Sequence, residues 1–216
     1  MSASRLLVCT ALAAAMGYTP RLTPEERPNE PQWSKSATAL AWQGETRHLT
    51  IDSPDKRAAV VVGETRLQVF RGAKDLAGTE NSGVSTLAEL LWAPDSSAFV
   101  VTQSDGGWVG NWYVTVYAVG SDSVHKFNVM KPVSASFKKT YTCDDAENPN
   151  VGAVAWLGGS KELLVAAEVP PHSSCRGMGN VAGFVVDPKT GNVLAALTEG
   201  QLRKHFAEFL GTRFKK

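Results

Sequence analysis

Hydrophobic and polar positions divide the chain into four stretches. An apolar run spans Leu6 to Met16, a charged and proline-rich stretch covers residues 19 to 36, a long field of short apolar runs follows, and the chain ends in a segment of helical periodicity. From Ala37 onward the short runs are TALAW (38–42), RHLTI (47–51), AAVVV (58–62), RLQVF (66–70), AELLW (88–92), AFVVT (98–102), WYVTVYAV (112–119), VHKFNV (124–129), VGAVAWL (151–157), ELLVAA (162–167), VAGFVV (181–186) and NVLAAL (192–197). Strands at this spacing, punctuated by Gly, Asn, Asp and Pro, predict an all-β assembly. AAVVV and ELLVAA are apolar throughout, which is the pattern of strands covered on both faces. Near the end, Leu202, Phe206, Phe209 and Leu210 share one face of a helix expected over 199–210. Thr198 suits its N-cap, Glu199 its positive end and Gly211 the position after its last turn, and the helix is expected to dock on the sheets.

The strand field repeats. HLTIDSPDKRAAVVVGETRLQVF, AELLWAPDSSAFVVTQSDGG with WYVTVYAV, and VGAVAWLGGSKELLVAA with VAGFVVDPKTGNVL share one plan of strand, polar turn, strand, loop and strand. Pro54-Asp55 and Pro94-Asp95 stand forty residues apart, with Gly158-Gly159 at the equivalent turn of the third unit. Proline pre-sets the first turn position and aspartate bonds backbone two residues on, so the pair marks a tight turn. A period of about 40 to 45 residues with several strands per unit is the signature of propeller blades.

The segment Trp92-Ala93-Pro94-Asp95-Ser96-Ser97-Ala98-Phe99-Val100-Val101 resembles the W-x-P-D-G-x-x-hydrophobic motif of WD-like repeats in TolB-type periplasmic propellers. Ser96 stands where that family has Gly, and Gly158-Gly159 replaces Pro-Asp in the third unit. The resemblance implies blade-like antiparallel sheets. A closed ring takes about four blades or more, and only about three units are visible. The expected fold is therefore all-β: a propeller-like stack of about three blade-like antiparallel sheets, open or incomplete as a ring, with a C-terminal α-helix.

The opening residues read as an address. Arg5 precedes the apolar run, which breaks at Gly17, Tyr18 and Pro20, and Ala15 and Gly17 supply the small side chains a signal peptidase needs. Residues 1–17 are expected to be a secretory signal peptide, 18–36 a Pro-rich linker and 37–216 the β-rich domain. The apolar run is too short for a permanent membrane span, which takes about 20 residues. A lipoprotein reading would acylate Cys9, but Val8 stands where a small residue is expected. After signal removal Cys143 and Cys175 remain, an even count in an oxidising compartment, and a disulfide between them is expected. Localisation is expected to be periplasmic or secreted.

Charge adds little, since 22 basic and 21 acidic residues leave no net field to recruit nucleic acid or an anionic membrane. No G-x-S-x-G elbow, phosphate-binding loop or dinucleotide fingerprint is present. Ser53, Ser96, Ser97 and Ser160 sit in turns, where a hydroxyl bonds local backbone. His48, His125, His172 and His205 are spread singly, without metal-ligand spacing, and His172 lies in a long loop. Asp144, Asp145 and Glu147 cluster in TCDDAENPN but lack the order of a calcium loop. Trp42, Trp92 and Trp156, at equivalent strand ends, read as core, whereas Trp108 stands in a glycine-rich turn and is a candidate for an exposed binding role.

Cys143 and Cys175, once bridged, would hold Asp144, Asp145 and His172 near one another, so these residues and Trp108 form the candidate binding surface. No catalytic residue and no cofactor is assigned. The expected function is a non-enzymatic binding or interaction protein of the bacterial envelope, taking another envelope protein or a small polar ligand. The alternative is a carbohydrate-acting hydrolase using carboxylates gathered at one end of the sheets.

Overall fold

A computed structural model of the chain describes residues 30–40, 48–63, 66–78, 84–85, 87–107, 110–141 and 147–215. After a two-residue strand β1 (Thr38–Ala39), three antiparallel sheets follow in chain order. The first runs β2 (His48–Asp52), β3 (Ala58–Gly63), β4 (Leu67–Arg71) and β5 (Lys74–Asp75). The second runs β6 (Ala88–Trp92), β7 (Ala98–Ser104), β8 (Trp112–Val119) and β9 (Val124–Phe127), with β1 added on the free side of β6. The third runs β10 (Asn150–Leu157), β11 (Glu162–Glu168), β12 (Val181–Val186) and β13 (Val193–Thr198). Each sheet is an up-and-down meander, the arrangement that short turns between antiparallel strands favour. Among the described residues no helix is long and apolar enough to cross a membrane.

Side-chain alternation along the strands decides how the sheets stack. Leu90, Phe99, Val101, Tyr117 and Val119 of the second sheet share a buried cluster with Val60, Val62, Leu67 and Val69 of the first. On the opposite face of the same strands Leu91, Val100, Val114 and Val116 join a cluster with Val151, Ala153, Leu163, Val165 and Phe184 of the third. The middle sheet is thus sandwiched, and β7 is buried along its whole length. β11 is covered on both faces, as its continuous apolar run predicts, because its far side meets Leu202, Leu210, Phe214 and Trp33. β3 differs from the expectation. Its residues alternate buried and half-buried, since no further sheet lies on the outer face of the first.

The three equivalent hairpin turns are joined in series. Lys56, Ser96 and Ser160 occupy the same turn position, each in the left-handed region with φ of 59°, 63° and 76°. The Asp55 N–H donates to Ser96 Oγ at 3.1 Å, and the Asp95 N–H to Ser160 Oγ at 3.2 Å. Glycine would adopt this conformation more readily but has no hydroxyl to accept from the neighbouring turn. Ser96 and Ser160 therefore tie one sheet to the next instead of bonding local backbone, while Ser53 and Ser97 do bond within their own turns.

Two helices complete the described chain. α1 (Met130–Phe137) had no counterpart in the sequence reading, because MKPVSASF is short and carries Pro132; it buries Val133 and Phe137 over the second core. Proline is tolerated there because it falls in the first turn, where the lost N–H has no intrahelical partner. α2 (Glu199–Phe206) opens with a full capping box between Thr198 and Gln201, and ends earlier than the 199–210 expected. Leu210 instead forms a bridge to Ser34, and a single 3₁₀ turn, Thr212–Phe214, follows.

Residues 30–36, expected to end a linker, are packed into the domain. Gln32, Trp33 and Ser34 are buried, and the Gly211, Thr212 and Arg213 N–H groups donate to the Trp33, Pro31 and Gln32 carbonyls. A Cβ on Gly211 would collide with the Gln32 carbonyl, and one on Gly152 with the Trp33 ring. Two glycines thus make the slot in which this segment lies. The chain's described ends meet over the outer face of the third sheet.

Candidate functional site

Strand pairing sets Ser104, Trp112, Asn150, Glu168 and Val181 at one end of the second and third sheets. Ser104 pairs with Trp112, and Asn150 with Glu168 and through it Val181. The Trp112 N–H donates to Asn150 Oδ1 at 3.0 Å and ties the two sheets at this end. His172 stands exposed in the 169–180 loop. Trp108, Cys143, Asp144 and Asp145 lie outside the described residues. Cys175 is buried at the edge of the core between the second and third sheets, with its N–H directed at Ser173 Oγ. Among the described residues no three His, Cys, Asp or Glu side chains gather as metal ligands.

The opposite end, where the serial turns lie, carries a cleft of about 360 Å³. Its walls are the ends of the first strands of the three sheets: Ile51, Asp52 and Pro54 from the first, Leu90, Leu91, Trp92 and Pro94 from the second, Val154, Ala155 and Trp156 from the third. Ser36, Thr38 and Phe209 close it. Trp42, Trp92 and Trp156 were expected to be core residues, and Trp42 lies outside the described residues. Trp92 and Trp156 are only half-buried, because strand ends converge here without a layer above them, and the fully buried tryptophans are Trp33 and Trp112. Trp156 is oriented by a hydrogen bond from its Nε1 to the Leu91 carbonyl, 3.2 Å, and Trp92 packs on Phe99 with ring centroids 5.0 Å apart. Asp52 is the one charged side chain in this lining.

A second cleft of about 280 Å³ is also lined by Trp156, with Ser97, Ala98, Val116, His125, Phe127 and Lys189 among its walls. Trp156 lines both clefts. One therefore carries an acid and the other two basic side chains, with an indole shared between them. Such an arrangement suits an amphipathic, dipolar ligand whose apolar part lies on the ring.

A separate buried polar cluster holds the N-terminal segment. Glu89, in the otherwise apolar strand β6, accepts from the Gln32, Trp33 and Ser34 N–H groups at 2.8 to 3.3 Å. Burial pushes its carboxyl up to about 8, against these three donors and the Arg213 guanidinium, which pull it down. Arg213 bonds Glu168, with Nη2 at 2.6 Å and Nε at 2.7 Å, and its guanidinium lies over the Trp33 and Trp112 rings at 4.8 and 5.4 Å. Glu89 thereby fastens the 32–34 backbone to β6. A lone acid inside an apolar strand was the sequence signal for it, and AELLW carries it in plain view.

No protein-family model, no curated protein and no solved structure matches the chain.

Proposed function

We propose that this chain is an exported, non-enzymatic binding protein of the bacterial envelope, whose turn-end cleft takes an apolar segment of a partner protein or a small amphipathic ligand. The observation that carries the reading is the cleft itself, where Trp92 and Trp156 offer aromatic surface beside a single carboxylate, Asp52. Pockets of this size, mostly apolar with a few placed polar groups, are what ligand sites require. The stack of three meander sheets, joined through the Ser96 and Ser160 turn bonds, is read as propeller-like on the strength of the repeated Pro-Asp turns in the sequence. A carbohydrate-acting hydrolase of the two-carboxylate kind would need two such groups about 5 to 9.5 Å apart. The lining contains one, so binding is the better reading.

The test is capture from envelope extract on the immobilised exported chain, compared with its Asp52→Lys variant. Asp52 is exposed at a strand end, so the substitution should leave stability within about 0.5 kcal/mol. A bound species retained by the parent and lost by the variant supports the cleft. Equal capture by both overturns it, and release of reducing sugar from envelope polysaccharide overturns the non-enzymatic reading.

A further inference from the structure

The turn-end cleft sets three half-buried aromatic rings, Trp92, Trp156 and Phe209, beside the carboxylate of Asp52, and its lining holds no basic side chain. The turn aspartates of the same sheets are engaged locally. Asp55 accepts from Ser53 Oγ and the Arg57 N–H, and Asp95 accepts from the N–H and Oγ of Ser97. Asp52 differs, since among the described residues nothing hydrogen-bonds or ion-pairs with its carboxylate. The rings show the same contrast. In the interior the Arg213 guanidinium lies 4.8 and 5.4 Å from the Trp33 and Trp112 centroids, whereas among the described residues no cation lies over Trp92, Trp156 or Phe209.

We propose that the cleft takes a small organic cation, an ammonium whose nitrogen carries apolar substituents, with its charge toward Asp52 and its substituents on the aromatic rings. The proposal rests on the cleft being the binding site and names the class of ligand that enters it. Charge decides among the occupants. An anion would meet Asp52 with like charge, and a neutral apolar ligand would take water from that carboxylate and give nothing in return. A cation replaces that water and is also attracted to a ring face within about 6 Å of its centroid, most strongly by tryptophan. The other walls, Ile51, Leu90 and Pro94 among them, are apolar and suit alkyl groups better than a bare ammonium, which is strongly hydrated and carries three donors. At about 360 Å³ the cleft is near the lower end of the range for small-ligand sites, about 300 to 1,000 Å³, so its occupant is a compact molecule.

Tryptophan emission of the exported chain, titrated with choline and with its neutral isostere bearing tert-butyl in place of trimethylammonium, separates charge from shape. The expected result is a saturable change with choline at millimolar concentration or below, and binding of the isostere about tenfold weaker. Asp52→Asn, with the circular dichroism of the parent, should weaken choline binding about tenfold and not weaken the isostere. A parent that does not bind choline saturably, an isostere bound as tightly as choline, or a folded Asp52→Asn that binds choline like the parent overturns the proposal. An isostere bound that tightly still marks the cleft as a ligand site, whereas equal capture by the parent and Asp52→Lys removes the cleft itself, so the two failures are told apart. The two probes compared on the parent decide the matter even if the variant fails to fold.

Discussion

Glu89 sets the protein's pH response at the scale of a single residue. Its carboxyl is raised from 4.5 to about 8 by burial, so the folded chain holds the proton more tightly than the unfolded chain. The resulting stability is fully present below about 4.5 and is lost as pH rises toward 8, on the order of a few kcal/mol in all. Urea melts across that range should show stability falling with pH, and Glu89→Gln should flatten the slope; an unchanged slope in the variant would place the titration elsewhere. The residue was visible in the sequence as an acid in an apolar run, but its partners were not. They are backbone N–H groups of Gln32, Trp33 and Ser34, more than fifty positions away and in a stretch whose composition reads as linker. Composition averages over a segment, whereas one tryptophan with a glycine-walled slot is enough to bind it. Ser96 teaches a related lesson. Its departure from glycine is explained only by the Asp55 N–H of the next sheet.

Elements differ in how much of them was legible. α2 was, because capping residues and an apolar face act locally, within one or two turns. Its packing was legible only in part. Leu202 is fully buried while Phe206 is half-buried, so the strongest dependence falls on the smaller side chain. Leu202→Ala should destabilise by about 2 to 5 kcal/mol, the cost of emptying a buried leucine site, and Phe206→Ala by clearly less. Thermal and chemical melts of the two variants check the order, and a larger loss for Phe206→Ala would contradict the packing described. β5 and α1 escaped the pattern for opposite reasons. Lys74–Asp75 is too short and charged to show alternation, and it pairs because Arg71 and Phe70 of β4 lie opposite. MKPVSASF mixes helix-poor residues with a proline and is held by Val133 and Phe137 against a core built by other strands.

Across the whole molecule, export and the bridge between Cys143 and Cys175 are linked expectations, since a disulfide persists in an oxidising compartment. Mass spectrometry of envelope-fraction protein should find a mature N-terminus near Tyr18 and no free thiol after alkylation of the unreduced, denatured chain. Intact Met1 protein in the cytosol would refute export, and two alkylated cysteines would refute the bridge. The bridge would close a loop of about 30 residues and contribute on the order of 3 to 4 kcal/mol. The sequence by itself determined the β class, the sheet-forming runs, the repeated turns at Pro54-Asp55, Pro94-Asp95 and Gly158-Gly159, and the capped helix, because each depends on side chains a few positions apart. Only the tertiary structure decided that the sheets stack as three without closing, and that Trp33 is core while Trp92 and Trp156 line a cleft. Those outcomes depend on which faces meet across long stretches of chain, and an alternating apolar pattern states that a face is buried without stating what covers it.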